Sequence, residues 1–166
     1  MTKQRQFVEL AHNEVVNNSL YLWGEQGESV LTTPPEKVIA EETSLENAGR
    51  IFVTLGNKLK KKSTMKNAKY FDCSGLVVWI LTIMGLIKGD YTANDIYNKL
   101  CYAIPRDKLK GGDLCFKSSN GRMTHVGIYS KKYGVIEAKG RDYGVVEGKL
   151  DESKWSSYGR LRCLEK

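Results

Sequence analysis

The stretch that decides the fold is Phe71-Asp72-Cys73-Ser74-Gly75, which runs directly into the apolar segment Leu76-Val77-Val78-Trp79-Ile80-Leu81. A segment that is apolar at every position predicts a helix buried on all sides, and Cys73 falls in its first turn. A helix N-terminus favours the reactive thiolate form of cysteine, and its unpaired backbone N–H groups can hold an oxyanion. Cys73 is therefore a candidate nucleophile, with Asp72 and Ser74 as supporting residues. The competing interpretation is that Cys73 is an ordinary small buried residue.

A candidate base follows in the strand-like segment Thr124-His125-Val126-Gly127-Ile128-Tyr129. A second strand pattern, Gly134 to Lys139, follows a short turn, so His125 and Glu137 are expected to be cross-strand neighbours. Glu137 would then accept a hydrogen bond from the imidazole, orient it and favour its charged form. The alternatives are a satisfied core histidine and an exposed carboxylate. His12, the second histidine, lies on the first predicted helix without such a partner.

Helices dominate the first part of the chain and strands the last part. Hydrophobic periodicity predicts helices over Lys3–Asn17, Ser44–Lys60 (with a Thr43/Glu46 capping box) and Ala93–Leu100 (capped by Thr92 and Asp95). Between the first two helices we expect an extended piece at Tyr21–Gly24 and then a loop marked by Gly24, Gly27, Pro34 and Pro35. Ser63–Tyr70 is also predicted to be a loop. Five short strands are predicted at Asp113–Lys117, Thr124–Tyr129, Val135–Lys139, Gly144–Glu147 and Tyr158–Leu164. This segregation predicts an α+β fold.

The composition indicates a globular protein with a basic surface. The 166 residues carry a net charge of +7 and contain 41% hydrophobic residues, which is typical of one ordinary domain. No apolar run is long enough to span a bilayer, so no integral membrane segment is expected. The basic first six residues lack the apolar core of a signal peptide, so we expect no export signal.

The basic surface favours polyanions, among which anionic cell-wall polymers, phospholipids and nucleic acid are candidates. We interpret the densest run of lysines as a solvated helix end rather than a binding patch. No aromatic residues interleave with them, as they would in a platform for single-stranded nucleic acid, and nucleic-acid binding is not expected. The run consists of Lys58, Lys60, Lys61 and Lys62, followed by Lys66 and Lys69.

The four cysteines are expected to be free thiols. They are scattered without a C-x-x-C pair, and only two histidines accompany them, so neither a zinc site nor a disulfide framework is predicted. The cysteines are Cys73, Cys101, Cys115 and Cys163.

Four segments resemble motifs of the NlpC-type peptidoglycan cysteine peptidases, and they occur in the order of that family. Phe71–Leu76 resembles the nucleophile motif, Gly112-Asp113-Leu114 the strand-opening GDL, and Thr124–Tyr129 the HVGIY strand. Tyr21-Leu22-Trp23-Gly24 resembles the upstream YxWG element. Together they extend over most of the chain from Tyr21 to about Val146.

The resemblance implies a single papain-like domain over 1–166, with N-terminal helices packed on a C-terminal antiparallel sheet of about five strands. It implies Cys73 as nucleophile and His125 as general base. Glu137 stands where the family most often has a second histidine. Tyr21 would help the backbone at Cys73 to stabilise the tetrahedral intermediate. We also assign Trp23 and Thr124, which lie within these motifs, to substrate binding; no metal or cofactor is required.

The chain also departs from the family pattern in an inserted helical segment at about 28–68, which would wall or cover the substrate groove.

The activity implied by this resemblance is hydrolysis of an amide bond in the peptide stems of bacterial peptidoglycan, through a thioester. Cleavage between D-glutamate and a diamino acid is favoured. An N-acetylmuramoyl-L-alanine amidase, an acyltransferase on the same fold and an inactive wall-binding relative are the alternatives. We expect action on the bacterial cell wall, as a phage endolysin released by lysis, as a phage-tail component or as a domain of a longer protein.

Overall fold

The computed structural model describes residues 1–61 and 65–166. The helices α1 to α4 are Lys3–Val16, Pro35–Glu42, Leu45–Lys60 and Cys73–Ile83. A fifth helix, α5, is a single turn at Ala93–Asp95 that continues as a π-helical segment, Ile96–Leu100. Short 3₁₀ turns lie at Arg106–Lys108, Leu150–Glu152 and Arg162–Leu164. The predicted helices at the start of the chain, after Asp72 and after Thr92 are confirmed.

Within residues 1–61 and 65–166, nine strands form two sheets. The strands β1 to β4 are Leu20–Tyr21, Gln26–Ser29, Lys69–Phe71 and Cys101–Ala103. The strands β5 to β9 are Leu114–Ser119, Arg122–Ser130, Gly134–Gly140, Gly144–Gly148 and Ser157–Leu161.

The larger sheet has the order β4-β9-β5-β6-β7-β8 and is antiparallel throughout. The predicted α+β class is confirmed, with six strands in place of the expected five. The additional strand is β4, which pairs with β9 through Cys101 opposite Leu161. Three residues that follow a helix at once are too few to show the alternation that predicts a strand.

The smaller sheet has the order β1-β3-β2 and holds the predicted extended piece at Tyr21 beside the segment that leads to Cys73. The loop predicted after Gly24 is wrong in part, because it contains β2 and helix α2. Pro35 is the first residue of α2, a position where the missing N–H of proline is no loss. The sequence feature that indicated a loop therefore marks the start of a helix.

The predicted capping box at Thr43 is also wrong. Thr43 ends α2 with a left-handed backbone (φ 54°), and Ser44 caps α3 by accepting a hydrogen bond from the Asn47 N–H at 3.2 Å. Two short helices meet at this point, so adjacent residues serve as the C-cap of one and the N-cap of the next.

The lysine run is only partly a solvated helix end. Lys60 and Lys61 are exposed, but the Lys58 ammonium donates to the Ser19 carbonyl at 3.3 Å. Burial, together with repulsion from Lys61, lowers the pKa of Lys58 to about 8. Lys62 lies outside the described residues.

The loop predicted over Ser63–Tyr70 is wrong at its end, because Lys69 and Tyr70 belong to β3. Ser63 and Thr64 lie outside the described residues.

Three apolar clusters lie among the described residues, and two of them pack helices against the sheets. The first lies between the large sheet and α1 and α4, and contains Phe7, Leu76, Ile80, Phe116 and Ile128 among its fully buried members. The second packs α2 and α3 against the small sheet. Nothing in the described part of the chain forms a helix long and apolar enough to cross a membrane.

Candidate active site

Cys73 is the first residue of α4, and Asp72 is its N-cap. One carboxylate oxygen of Asp72 accepts the Gly75 N–H at 2.6 Å, and the Leu76 N–H donates to the Asp72 carbonyl at 3.1 Å. The N–H groups of Cys73 and Ser74 are then the two at this helix start without an acceptor in their own helix. They form the local environment in which an oxyanion beside the Cys73 sulfur would be stabilised.

Asp72 also binds the loop that contains Gly24. Its second carboxylate oxygen accepts the Gly24 N–H at 3.0 Å, and the Ser74 hydroxyl donates to the first at 3.3 Å. Burial raises the pKa of the Asp72 carboxyl, although the hydrogen bonds from Gly75 and Gly24 oppose this. Asp72 and Ser74 thus hold the start of the helix at Cys73 through hydrogen bonds, and their role in supporting a nucleophile stays a prediction.

The position of Gly75 leaves no room for a side chain. A Cβ at this position would lie 2.2 Å from the Glu25 carbonyl oxygen and 2.7 Å from the Asp72 carboxylate. The glycine therefore lets the loop before β2 and the N-cap close on the helix start.

His125 lies on β6 and Glu137 on β7, and their side chains meet as expected. The imidazole Nε2 is 3.2 Å from Glu137 Oε1, and the two side chains are 18% and 8% exposed. The pairing of Tyr129 with Val135 places Glu137 opposite Gly127, so His125 is its diagonal neighbour rather than its direct partner. With Nε2 occupied by Glu137, Nδ1 is the ring nitrogen left to exchange a proton with Cys73.

The environment of His125 favours the imidazolium. Burial opposes the charged ring, but hydrogen bonds to Cys73 and Glu137, together with their negative charge, outweigh it and raise the pKa of His125 to about 9. Cysteine hydrolases use a pair formed by a thiolate and an imidazolium, and His125 can supply the imidazolium.

The Trp155 indole packs on the imidazole of His125, and no sequence pattern indicated this contact. Its ring stacks on His125 with the centroids 5.6 Å apart and the planes 17° from parallel, while the Lys117 ammonium lies 4.8 Å from the indole centroid. A Cβ at Gly127 would lie 3.0 Å from Trp155 and 2.6 Å from Val135, so this glycine makes room for the indole. The indole shields the ring from water and limits its rotation.

Tyr21 reaches the site because β1 pairs with β3, in a register that sets Tyr21 beside Phe71. Burial, followed by the negative charge of Cys73 and Asp72, raises the pKa of the Tyr21 phenol. The phenol stays protonated and available as a hydrogen-bond donor, which is what the predicted role in oxyanion stabilisation requires. The Arg141 guanidinium lies 5.3 Å from the Tyr21 ring centroid.

Cys73, His125 and Tyr21 line one cleft of about 460 Å³. Of the predicted site residues, Glu137 lies behind His125 outside the lining, and the others face the cleft. The predicted residues in the lining are Tyr21, Trp23, Asp72, Cys73, Ser74, Thr124 and His125. The cleft also contains charged residues that the sequence analysis missed, and these are Arg50, Asp90, Lys139 and Arg141.

The two predicted substrate-binding residues border this cleft. The Trp23 side chain is 60% exposed, and its backbone N–H donates to Glu42 Oε1 at 3.0 Å. The Thr124 carbonyl oxygen lies 4.0 Å from the Cys73 sulfur. Both are placed to touch a bound peptide, and their roles stay predictions.

The other thiols lie apart from the cleft. Cys101 and Cys115 are buried and Cys163 is partly buried, and all four cysteines are free. Burial raises the pKa of the Cys101 and Cys115 thiols to about 12. Over residues 1–61 and 65–166, no group of three or more His, Cys, Asp or Glu side chains is arranged to hold a metal.

Comparison with known proteins relates this geometry to one family. The NlpC/P60 family model matches residues 55–161. A curated relative, the murein DD-endopeptidase MepH of Escherichia coli (strain K12), is 35% identical over 91 residues, covering 53% of this chain and 34% of that protein. The chain thus spans about a third of the length of this relative.

Solved structures share the fold. The NlpC/p60 domain of the peptidoglycan hydrolase SagA matches with a TM-score of 0.59 at 18% identity, covering 95% of this chain and 98% of that one. The P60 domain of an antigen from M. avium subspecies paratuberculosis matches with a TM-score of 0.59 at 20% identity, covering 98% of each chain. The predicted papain-like α+β architecture is confirmed by these likenesses.

Proposed function

Because the chain belongs to the NlpC/P60 family, we propose that it is a cysteine peptidase that hydrolyses an amide bond in the peptide stems of bacterial peptidoglycan. The observation that carries this proposal is the series Cys73, His125 and Glu137. Cys73 is the first residue of a buried helix and lines the same cleft as His125. The His125 imidazole is hydrogen bonded to the buried carboxylate of Glu137. A nucleophile, a base and a residue that orients the base are the parts that acyl transfer through a thioester needs.

The proposed reaction begins with transfer of the Cys73 proton to His125 Nδ1. The thiolate attacks the scissile carbonyl carbon, and a carbon–sulfur bond forms as the carbonyl π electrons move to oxygen. The N–H groups of Cys73 and Ser74 and the Tyr21 hydroxyl stabilise the oxyanion. Glu137 holds the charged ring in place throughout this step.

Collapse of the intermediate breaks the carbon–nitrogen bond, and the amine leaves with the proton from His125. A water molecule then gives a proton to the neutral imidazole and attacks the thioester carbon. The carbon–sulfur bond breaks, Cys73 takes the proton back, and the acid product leaves.

We favour the bond between D-glutamate and a diamino acid. A stem peptide with this bond carries a free carboxylate on the D-glutamate and an ammonium on the diamino acid. The cleft presents charges of both signs, with Arg50, Lys139 and Arg141 as cations and Asp90 as an anion. Such a lining matches a zwitterionic peptide better than the acyl chain that a lipid acyltransferase would bind.

A second candidate is a DD-endopeptidase, because the curated relative at 35% identity is named as a murein DD-endopeptidase. For either bond, we place the action at the bacterial wall, reached after release by lysis or as part of a phage particle or larger protein. The basic surface supports additional attraction to anionic wall polymers.

Mass spectrometry of fragments released from defined muropeptides tests the proposal and separates the two bonds. Cys73→Ala should release no fragments yet still bind the wall, whereas Cys163→Ala, which alters a partly buried thiol outside the cleft, should match the unmodified protein. Equal release by the unmodified protein and Cys73→Ala would refute the enzyme. Wall binding without release by any variant would favour an inactive wall-binding relative.

A further inference from the structure

We propose that Arg141 determines specificity by binding the free carboxylate of D-glutamate in the stem peptide, and that Glu42 positions Arg141 for this role. The inference rests on the proposed function, since it names the group that the same cleft recognises. It concerns residues that no family motif covers: Glu42 ends α2, and Arg141 lies in the turn between β7 and β8.

Glu42 holds Arg141 in a fixed position. The Glu42 side chain is completely buried, and the Arg141 Nε donates to its Oε2 at 2.5 Å. The other oxygen, Oε1, accepts the Trp23 N–H at 3.0 Å. A buried carboxylate needs such partners, because an unpaired buried charge is strongly unfavourable. The pair therefore fixes both the guanidinium and the backbone of the Tyr21–Gly24 segment.

The terminal nitrogens of Arg141 remain for a ligand. A guanidinium has five N–H donors, and the hydrogen bond to Glu42 uses the one on Nε. Within the described ranges, the terminal nitrogens of Arg141 have no acceptor. The side chain is 22% exposed and lines the cleft, where its guanidinium lies against the ring of Tyr21. These donors belong to the same cleft as Cys73 and His125.

The neighbouring cations differ in this respect. Arg50 uses its Nε and one terminal nitrogen on the two oxygens of Asp142, at 2.9 and 2.7 Å. The Lys139 ammonium lies 4.6 Å from the Tyr143 ring. Arg141 thus combines a fixed orientation with unused donors, and a planar guanidinium fork fits a carboxylate in a two-bond geometry that an ammonium cannot match.

The position of the scissile bond indicates which carboxylate of the substrate Arg141 would bind. If Cys73 attacks the side-chain carbonyl of D-glutamate, the free carboxylate of the same residue lies only a few bonds away. Cys73, Tyr21 and Arg141 line the same cleft, and the guanidinium lies 5.3 Å from the Tyr21 ring centroid, so a D-glutamate residue bound at Cys73 shares this cleft with the guanidinium. Amidation of that carboxyl would remove the charge and one acceptor while leaving the scissile bond unchanged.

The test compares two stem peptides that differ only in whether the D-glutamate carboxyl is free or amidated. Binding is measured by calorimetry on Cys73→Ala protein, so that no turnover intervenes. We expect the acid to bind about tenfold to a hundredfold more tightly than the amide, the range for a hydrogen bond between charged groups. Arg141→Gln should remove this preference by weakening the acid alone, while Arg5→Gln, a matched change at an exposed arginine on α1, should leave it intact.

Two further variants separate recognition from folding and positioning. Because Arg141→Gln leaves a buried carboxylate without its cation, Glu42→Gln/Arg141→Gln is measured beside it and should show the same loss of preference. Glu42→Gln alone keeps the guanidinium but frees it, and should reduce the preference to an intermediate value.

An acid preference that survives both Arg141 variants would overturn the inference while leaving the proposed function in place. If Cys73→Ala protein binds neither peptide and the unmodified protein cleaves neither, both the inference and the proposed function are overturned.

Discussion

Replacing Glu137 by glutamine isolates the least usual member of the proposed triad. The pKa of His125 is about 9 against an ordinary 6.5, a difference worth roughly 3 kcal/mol in favour of the charged ring. Because burial disfavours the charged imidazole, the stabilisation by Cys73 and Glu137 together must exceed this difference. A hydrogen bond between charged groups contributes about 1.5–3 kcal/mol. Glu137→Gln should therefore lower the pKa of His125 by about one to two pH units.

The rate should fall with the charge on the ring. Loss of about 1.5–3 kcal/mol from the thiolate–imidazolium pair predicts a decrease in kcat/KM of about tenfold to a hundredfold.

The substitution Glu137→Gln also affects the stability of the folded protein. Because the folded-state pKa of His125 is raised, its contribution is complete below about pH 6.5 and is lost as the pH rises through about 9. Glu137→Gln should thus destabilise the protein more at pH 6 than at pH 10.

Proton-detected NMR of the imidazoles suits this measurement because the chain has two histidines. His12 lies on α1, with the Glu147 carboxylate 2.9 Å from its Nδ1, and His12→Gln assigns the two signals. Glu147→Gln is the matched control, since it also removes a carboxylate next to a histidine but should leave the His125 titration unchanged. A titration midpoint for His125 that is the same in Glu137→Gln and in the unmodified protein would refute the reasoning.

Three further predictions concern the support around the site. Asp113→Asn breaks a buried two-bond ion pair with Arg160 (2.8 Å for each bond), and should destabilise the protein by about 3–5 kcal/mol in urea unfolding; a change below 1 kcal/mol would contradict this. Gly75→Ala drives a methyl group into the Glu25 carbonyl and should abolish activity or soluble expression, so an active variant with an unshifted melting temperature would disprove the close approach. Brief iodoacetamide treatment should modify Cys73 before the two fully buried thiols, whose pKa burial raises to about 12; peptide mapping that shows those thiols labelled first would contradict the burial argument.

The parts of the site that the sequence predicts are those that depend on local patterns. The buried helix after Asp72 follows from a continuous apolar run, and the meeting of His125 with Glu137 follows from two strands joined by a short turn. In that hairpin Glu137 lies opposite Gly127, two residues from His125, so the two side chains are diagonal neighbours and not direct partners. Diagonal neighbours on one face are still within reach of long side chains, so the predicted contact forms.

The missed parts depend on contacts between distant segments. Glu42 and Arg141 are 99 residues apart in the chain, and neither lies in a pattern that predicts its partner. Trp155 follows a 3₁₀ turn in a segment with no strand periodicity, yet it forms one wall around His125. Such residues can be found only when the sheet order is known, because sheet order decides which loops meet.

The stacking of Trp155 on His125 also makes the indole an optical reporter of the proposed base. An imidazolium accepts an electron from an excited indole more readily than a neutral imidazole does, so the ring's proton controls the quenching of Trp155. Across the described residues, Trp23 and Trp79 stack on no histidine, so neither indole is quenched by an adjacent imidazolium. The indole of Trp155 thus serves as a fluorescent indicator for the protonation state of His125 in a pH titration of the free protein, without any attached dye.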